Sequence, residues 1–377
     1  MVMRRVFNHH VCLCVLSTAI LAGLALMTSQ NKVYAQAQNC KGLAGSRGGG
    51  GTDSESGLIV CDGGKDGRGA TNGEWGELSG KRDIDMSGHS DKAAVTVYNG
   101  SGGRAKIMIK DKLTVTDSKG TSNNTTAIKV EKGGELVVVD ADVAGVQKGI
   151  EVSGSGSSVT VVKGTIGVRA KGGGSLIEVS NNGEVVLNKW VTIKTVSGSM
   201  AGEVVINNGG TVQLNGQSFN NVTTGIKIKG TKGTANVRGG ATITIGQNGT
   251  GLEMDMSGGT ANVMELNING SGGNGTGVLI NGSGTVTLTK VKLMQLEMGA
   301  RVTSGTLKIL GESTINVAEN GTGLNVSGGD GDDDGWEFDG EGEWEGDGGG
   351  GGDCDDDGDD GYGRWEWEGV GDEGGDG

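Results

Sequence analysis

One short phrase recurs along this chain: Gly or another small residue, an aliphatic, a variable residue and, in most copies, a second aliphatic. It appears as Ala94-Val95-Thr96-Val97, Ala127-Ile128-Lys129-Val130, Gly149-Ile150-Glu151-Val152 and Gly167-Val168-Arg169-Ala170. It returns as Gly225-Ile226-Lys227-Ile228, Gly251-Leu252-Glu253-Met254, Gly277-Val278-Leu279-Ile280, Gly299-Ala300-Arg301-Val302 and Gly323-Leu324-Asn325-Val326. From Ile128 onward the steps are 22, 18, 58, 26, 26, 22 and 24 residues. The long step contains Gly202-Glu203-Val204-Val205-Ile206, which restarts the phrase 22 residues before Ile226. A period of this length means stacked supersecondary units.

Further alternating segments lie between the copies, among them Leu136-Val137-Val138, Val159-Thr160-Val161, Thr242-Ile243-Thr244-Ile245 and Leu307-Lys308-Ile309. Alternation with a period of two puts aliphatics on one face and Thr, Lys or Glu on the other. Gly, Asn and Ser clusters such as Asn207-Asn208-Gly209-Gly210 supply the positive φ of tight turns. About three strands and three turns fit each period. Such a coil buries its inward side chains only when the next coil stacks on it in parallel. The fold predicted is all-β: a right-handed parallel β-helix, a solenoid of roughly ten coils. An antiparallel β-sandwich also has frequent turns, but does not require one phrase to return at every coil. Composition agrees. With 79 Gly, no Pro and 3% aromatics, the chain suits thin layers of β-branched residues in which nearly every N–H donates to a ladder.

Four segments follow. Residues 1–35 read as a secretory signal: Arg4 and Arg5, an apolar run from Val11 to Met27, and Val33-Tyr34-Ala35 before the expected cleavage. A retained anchor is the alternative, at the short limit of a spanning length. Residues 36–90 are Gly- and Asp-rich and are expected to be an N-terminal cap or a leader. Residues 91–329 form the β-helix. Residues 330–377 are an acidic, Gly-rich, low-complexity tail, expected to be disordered. The tail holds 21 Asp and Glu against Arg364 alone, whereas residues 36–329 carry 28 Lys and Arg against 25 Asp and Glu. The folded part is therefore near neutral, which excludes the basic footprint of a nucleic-acid binder.

Cys40 and Cys61 are a candidate disulfide if the chain reaches an oxidising compartment, with two unpaired thiols as the alternative. Cys354 is left over. His89, beside Ser87, Gly88 and Ser90, is the one His past the signal and reads as a surface turn residue rather than a catalytic base. No HExxH or CxxC pattern occurs, and no cofactor is expected. Glu151, Glu203 and Glu253 are assigned to the variable position of three coils, and Lys129, Arg169, Lys227 and Arg301 to that position in others. Paired carboxylates on the outside of successive coils are what a polysaccharide lyase or hydrolase needs. Mixed charge on a solvated strand face explains them without catalysis, so no enzyme activity is expected. Gly270-x-Gly272-x-x-Gly275 matches a dinucleotide pattern by letters only and reads as a turn. In the tail, Asp330, Asp332, Asp334 and Glu341 satisfy the spacing of a calcium loop, but Gly-rich flanks replace the helices, which makes the match weak.

Gly, Asp, Glu and Val share codons beginning with G, and Trp336, Trp344, Trp365 and Trp367 also fall in the tail. A purine-rich repeat read in one fixed frame gives this bias, so the tail reads either as a slipped frame or as a true acidic linker.

The long signal ending Val33-Tyr34-Ala35-Gln36, the Gly-rich coils and the opening Arg4-Arg5-Val6-Phe7-Asn8-His9-His10-Val11-Cys12-Leu13-Cys14 resemble autotransporter passengers of Gram-negative bacteria. They look most like the Bartonella group, some of whose passengers resemble angiogenic factors. The resemblance covers residues 1–329. It implies a surface-exposed or secreted adhesin-type virulence protein that binds a host cell-surface receptor or matrix. It also implies an outer-membrane barrel translocator as partner. No run of ten-residue alternating strands with aromatic girdles is found after residue 329, so a truncated, inactive periplasmic remnant is a further reading.

Overall fold

The computed structural model describes residues 57–62, 75–100, 103–120, 123–169, 175–195, 203–256, 258–327 and 338–339. The signal-like segment, Cys40, Cys354 and the tail residues Asp330, Asp332, Asp334 and Glu341 lie outside them. The described residues contain strands and turns and no helix. They form a parallel β-helix.

Its coils close on three ladders. In the first, Ile59, Val95, Ile128, Ile150, Ile177, Val204, Ile226, Leu252, Val278, Ala300 and Leu324 stand in consecutive parallel register. In the second, Ile107 is followed by Leu136, Val159, Val185, Val212, Ala235, Ala261, Val286 and Leu307. The third carries Ile84, Val115, Val143, Ile166 and Ile193, and higher up Phe219, Ile243, Ile268, Leu293 and Ile315. At about 4.8 Å per rung the first ladder is a rod of about 48 Å.

Alternation does the sorting. The strand Glu135–Val146 turns Leu136, Val138, Ala141, Val143 and Val146 inward and leaves Glu135, Asp140 and Asp142 outside. Ile150, Ile226 and Val278 belong to one continuous apolar column with residues of all three ladders. Each fully buried Ile, Val or Leu contributes roughly 1.5–3 kcal/mol.

The glycine of the recurring phrase has a mechanical cause. A Cβ on Gly225, Gly251, Gly277 or Gly299 would lie 2.6, 2.7, 2.5 or 2.3 Å from the carbonyl oxygen of Gly251, Gly277, Gly299 or Gly323 respectively. Each glycine lets the next coil's backbone close over it.

Two sequence assignments change. Gly167-Val168-Arg169-Ala170 is not a rung of the first ladder. Val168 pairs with Val146 and Thr195 at the end of the third face. The true rung is Ile177, between Ile150 and Val204. Its copy of the phrase, Leu176-Ile177-Glu178-Val179, has Leu where Gly or Ala is usual. The β-helix also begins earlier than residue 91. Ile59–Cys61, Gly76–Leu78 and Arg82–Asp85 form a coil inside the segment expected to be cap or leader, pairing with the ladders above. At the far end, Phe338–Asp339 pairs in parallel with Ile309–Leu310 and extends the second ladder.

Candidate functional site

The outward position of the first ladder is the surface on which charge could be organised for chemistry. In register it reads Thr96, Lys129, Glu151, Glu178, Val205, Lys227, Glu253, Leu279, Arg301 and Asn325. Lys129, Glu151, Lys227, Glu253 and Arg301 therefore stand where the sequence placed them. Glu203 and Arg169 do not. Glu203 precedes Val204 and occupies the glycine position of the phrase, while Arg169 belongs to another face. Glu178 is the member that sequence reading missed, because its copy of the phrase begins with Leu176.

The carboxylates of this stripe are bound to lysines of their own or a neighbouring rung. Lys148 Nζ lies 2.6 Å from Glu178 and 3.3 Å from Glu151, Lys129 Nζ is 3.5 Å from Glu151, and Lys227 Nζ is 2.7 Å from Glu253. Burial pulls the Lys148 ammonium down, but Glu178 and Glu151 outweigh it and hold the group above the usual lysine range. Lys227 follows the same pattern with Glu253 and Glu203. Glu203 differs. Burial pushes its carboxyl above the usual glutamate range, and Lys227 and Lys229 offset this only in part.

The third face carries a second set of pairs. Lys112 meets Asp142 at 3.0 Å, and Lys163 meets Asp140 at 3.2 Å. At its base Asp85 accepts from the Ser118 hydroxyl at 2.6 Å and from the Ser87 and Ser118 N–H groups. These bonds hold its carboxyl well below the usual carboxylate range. Trp75 and Trp190 are exposed, with the Lys106 ammonium 5.8 Å from one ring centre and that of Lys189 4.9 Å from the other.

His89 follows the turn at Ser87 and Gly88, half-buried, its N–H donating to the Met86 carbonyl at 2.9 Å. Gly270, Gly272 and Gly275 lie in a turn between the third and first ladders, with positive φ at Gly272 and Gly275. A shallow depression beside it is lined by Gly272, Gly273, Gln295, Val317 and Ala318 and has no charged side chain. Among the described residues no group of three or more His, Cys, Asp or Glu could hold a metal ion. Cys61 is fully buried and disulfide-bonded. Comparison with known protein families, with characterised proteins and with solved structures finds no match.

Proposed function

We propose that this chain is an exported, non-catalytic rod of the autotransporter-passenger kind, acting at a cell surface or after release by binding host cells or their matrix. The stripe on the first ladder carries this reading. Glu151, Glu178 and Glu253 are each tied to a lysine of a neighbouring rung, a solvated, self-neutralised face rather than a carboxylate pair flanking a cleft. A solenoid of this kind offers a long rigid surface for recognition. The disulfide at Cys61 supports export, since such bonds persist in oxidising compartments. The test is binding of the mature chain to cultured host cells and to immobilised matrix proteins. Saturable binding that survives reversal of stripe charges one coil at a time supports the reading; no binding to either surface ends it.

One observation favours a second reading, a polysaccharide lyase or hydrolase. Glu203 is a half-buried acid among Glu178, Lys227, Lys229 and Glu253, with its carboxyl shifted toward the neutral form that a general acid needs. Release of reducing ends or unsaturated products from acidic polysaccharides, lost in Glu203→Gln, would establish that reading in place of the first.

A further inference from the structure

At the corner where the second face turns into the third, the strand Glu184–Thr195 carries one residue more than the coil below it. Leu187 pairs with Val161 and Trp190 with Lys163. Asn188 and Lys189 lie between those pairs on this strand, and Val162 alone on its neighbour. A bulge of this kind re-aims side chains. Here it puts Lys189 and Trp190, consecutive in the chain, on the outside together. Trp190 is 60% exposed, and the Lys189 ammonium stands 4.9 Å from its ring centre.

The same corner of the next two coils is nearly bare. Leu214 stands over Leu187, and Val237 over Leu214. After Leu214 the chain turns through Asn215-Gly216-Gln217-Ser218, and after Val237 through Arg238-Gly239-Gly240-Ala241. Gln217 and Ala241 are buried. A Cβ on Gly216 would meet the backbone of Gly239 alone, and one on Gly240 would meet nothing within 4 Å. The floor above Trp190 is therefore exposed backbone. Arg238 borders it. Its Nε donates to Asn215 Oδ1 at 3.0 Å, which aims the guanidinium down the rod toward the coil of Trp190. Among the described residues neither Arg238 nor Lys189 is salt-bridged to a carboxylate, whereas Lys163 on the coil below is tied to Asp140 at 3.2 Å. Trp75 makes the contrast. It is also exposed beside a lysine, but that lysine, Lys106, is held by Glu135 at 2.8 Å.

We propose that this corner binds a uronate-containing glycan of the host matrix, with one sugar ring stacked on Trp190 and the carboxylates of flanking sugars held by Lys189 and Arg238. The indole offers a flat apolar plane with a polar edge, which suits the C–H face of a pyranose and the hydroxyls at its rim. Glycines let the sugar approach the backbone, whose polar groups suit hydroxyls better than the apolar patch of a protein partner. The two cations lack an acid of their own, so an anionic ligand has no internal carboxylate to displace. From the rung of Lys189 to that of Arg238 is two rungs, about 10 Å, a span that two successive sugars cover. The inference rests on the reading of this rod as a host-binding surface and gives that surface a ligand class.

The test is calorimetric titration of the full chain with a hyaluronan hexasaccharide, and with chitohexaose as a neutral oligomer of the same length. The expected result is saturable binding of the first, weakened at least about ten-fold by Trp190→Ala and restored by Trp190→Tyr. Lys189→Gln and Arg238→Gln weaken it as well, Trp75→Ala leaves it unchanged, and chitohexaose binds at least about ten-fold more weakly. Because Trp190 is exposed, Trp190→Ala melts with the parent, and this variant carries the test if Arg238→Gln folds poorly. The proposal is overturned if the hexasaccharide does not bind, if binding survives Trp190→Ala, or if Trp75→Ala weakens it as much. Saturable binding to host cells without binding of the hexasaccharide removes this ligand and keeps the host-binding reading; binding to neither removes both.

Discussion

The guanidinium of Arg169 reaches Asp117 with Nη1 3.6 Å from Oδ2, and the Asp117 side chain has no solvent exposure. The two residues end the third-face strands of coils two turns apart. Asp117 Oδ1 accepts from the Gly120 N–H at 3.0 Å, and the Arg169 N–H donates to the Val146 carbonyl of the coil between them. One ion pair thus clamps three consecutive turns of the rod at a corner.

Arg169→Met should therefore destabilise the protein by about 3 kcal/mol, because it leaves a buried carboxylate without its counter-charge. Asp117→Asn combined with Arg169→Met should recover part of that loss. Urea denaturation of the single and double variants checks both, and an Arg169→Met cost under about 0.5 kcal/mol would rule out the clamp.

Two glycines outside the recurring phrase predict a contrast between two substitutions. A Cβ at Gly164 would lie 1.9 Å from the Ala141 carbonyl oxygen, at a φ of +121°. Gly164→Ala should cost about 4 kcal/mol or more, since backbone has to shift. Gly240 has a φ of +76° with nothing within 4 Å of its added Cβ. Gly240→Ala should cost only about 1–2 kcal/mol, the penalty of a left-handed L residue. Thermal unfolding of the two variants separates close approach from conformation.

The recurring phrase also marks where the sequence could and could not be read. The phrase located most rungs of the first ladder, because Gly, then two inward aliphatics flanking an outward residue, is what one coil lying on the next requires. It failed at Ile177, where Leu176 stands in the glycine position, and the vacant step was filled with Gly167-Val168, which has the right letters on the wrong face. The error removed Glu178 from the charged stripe and put Arg169 into it. Ile59 was missed because Ile59–Cys61 is a three-residue strand among Gly-rich segments, too short for alternation to stand out. Pairing between rungs far apart in sequence leaves no local signal in the chain.

Glu203 sets a pH dependence. Its carboxyl titrates above the ordinary glutamate range in the folded state because burial penalises the charge. Between the unfolded and folded values the native state holds the extra proton, so this residue's contribution falls as pH rises through that window and is fully unfavourable above it. Glu203→Gln should stabilise the protein at neutral pH and leave stability unchanged in acid below the ordinary glutamate value. Melting temperatures across pH 4–8, about the span in question, test this; a variant less stable than the parent at neutral pH would mean that Lys227 and Lys229 outweigh burial.

Cys61 lies in the first strand of the first coil, and its bond should be to Cys40. Among the remaining cysteines, Cys40 alone lies close in sequence on the mature side of the expected cleavage. Cys61 itself sits fully buried in the first ladder, paired through Ile59↔Val95 and Cys61↔Val97 to the coil above. A loop of about 20 residues closed by that bond stabilises by roughly 3 kcal/mol through the unfolded chain. Cys40→Ser should then lower the unfolding midpoint, and a reductant should do the same to the parent and nothing further to the variant. A peptide map under non-reducing conditions should give a Cys40–Cys61 linked pair. A Cys61–Cys354 pair instead would tie the acidic tail to the opposite end of a rod about 48 Å long, and would require the tail to run back along its whole length.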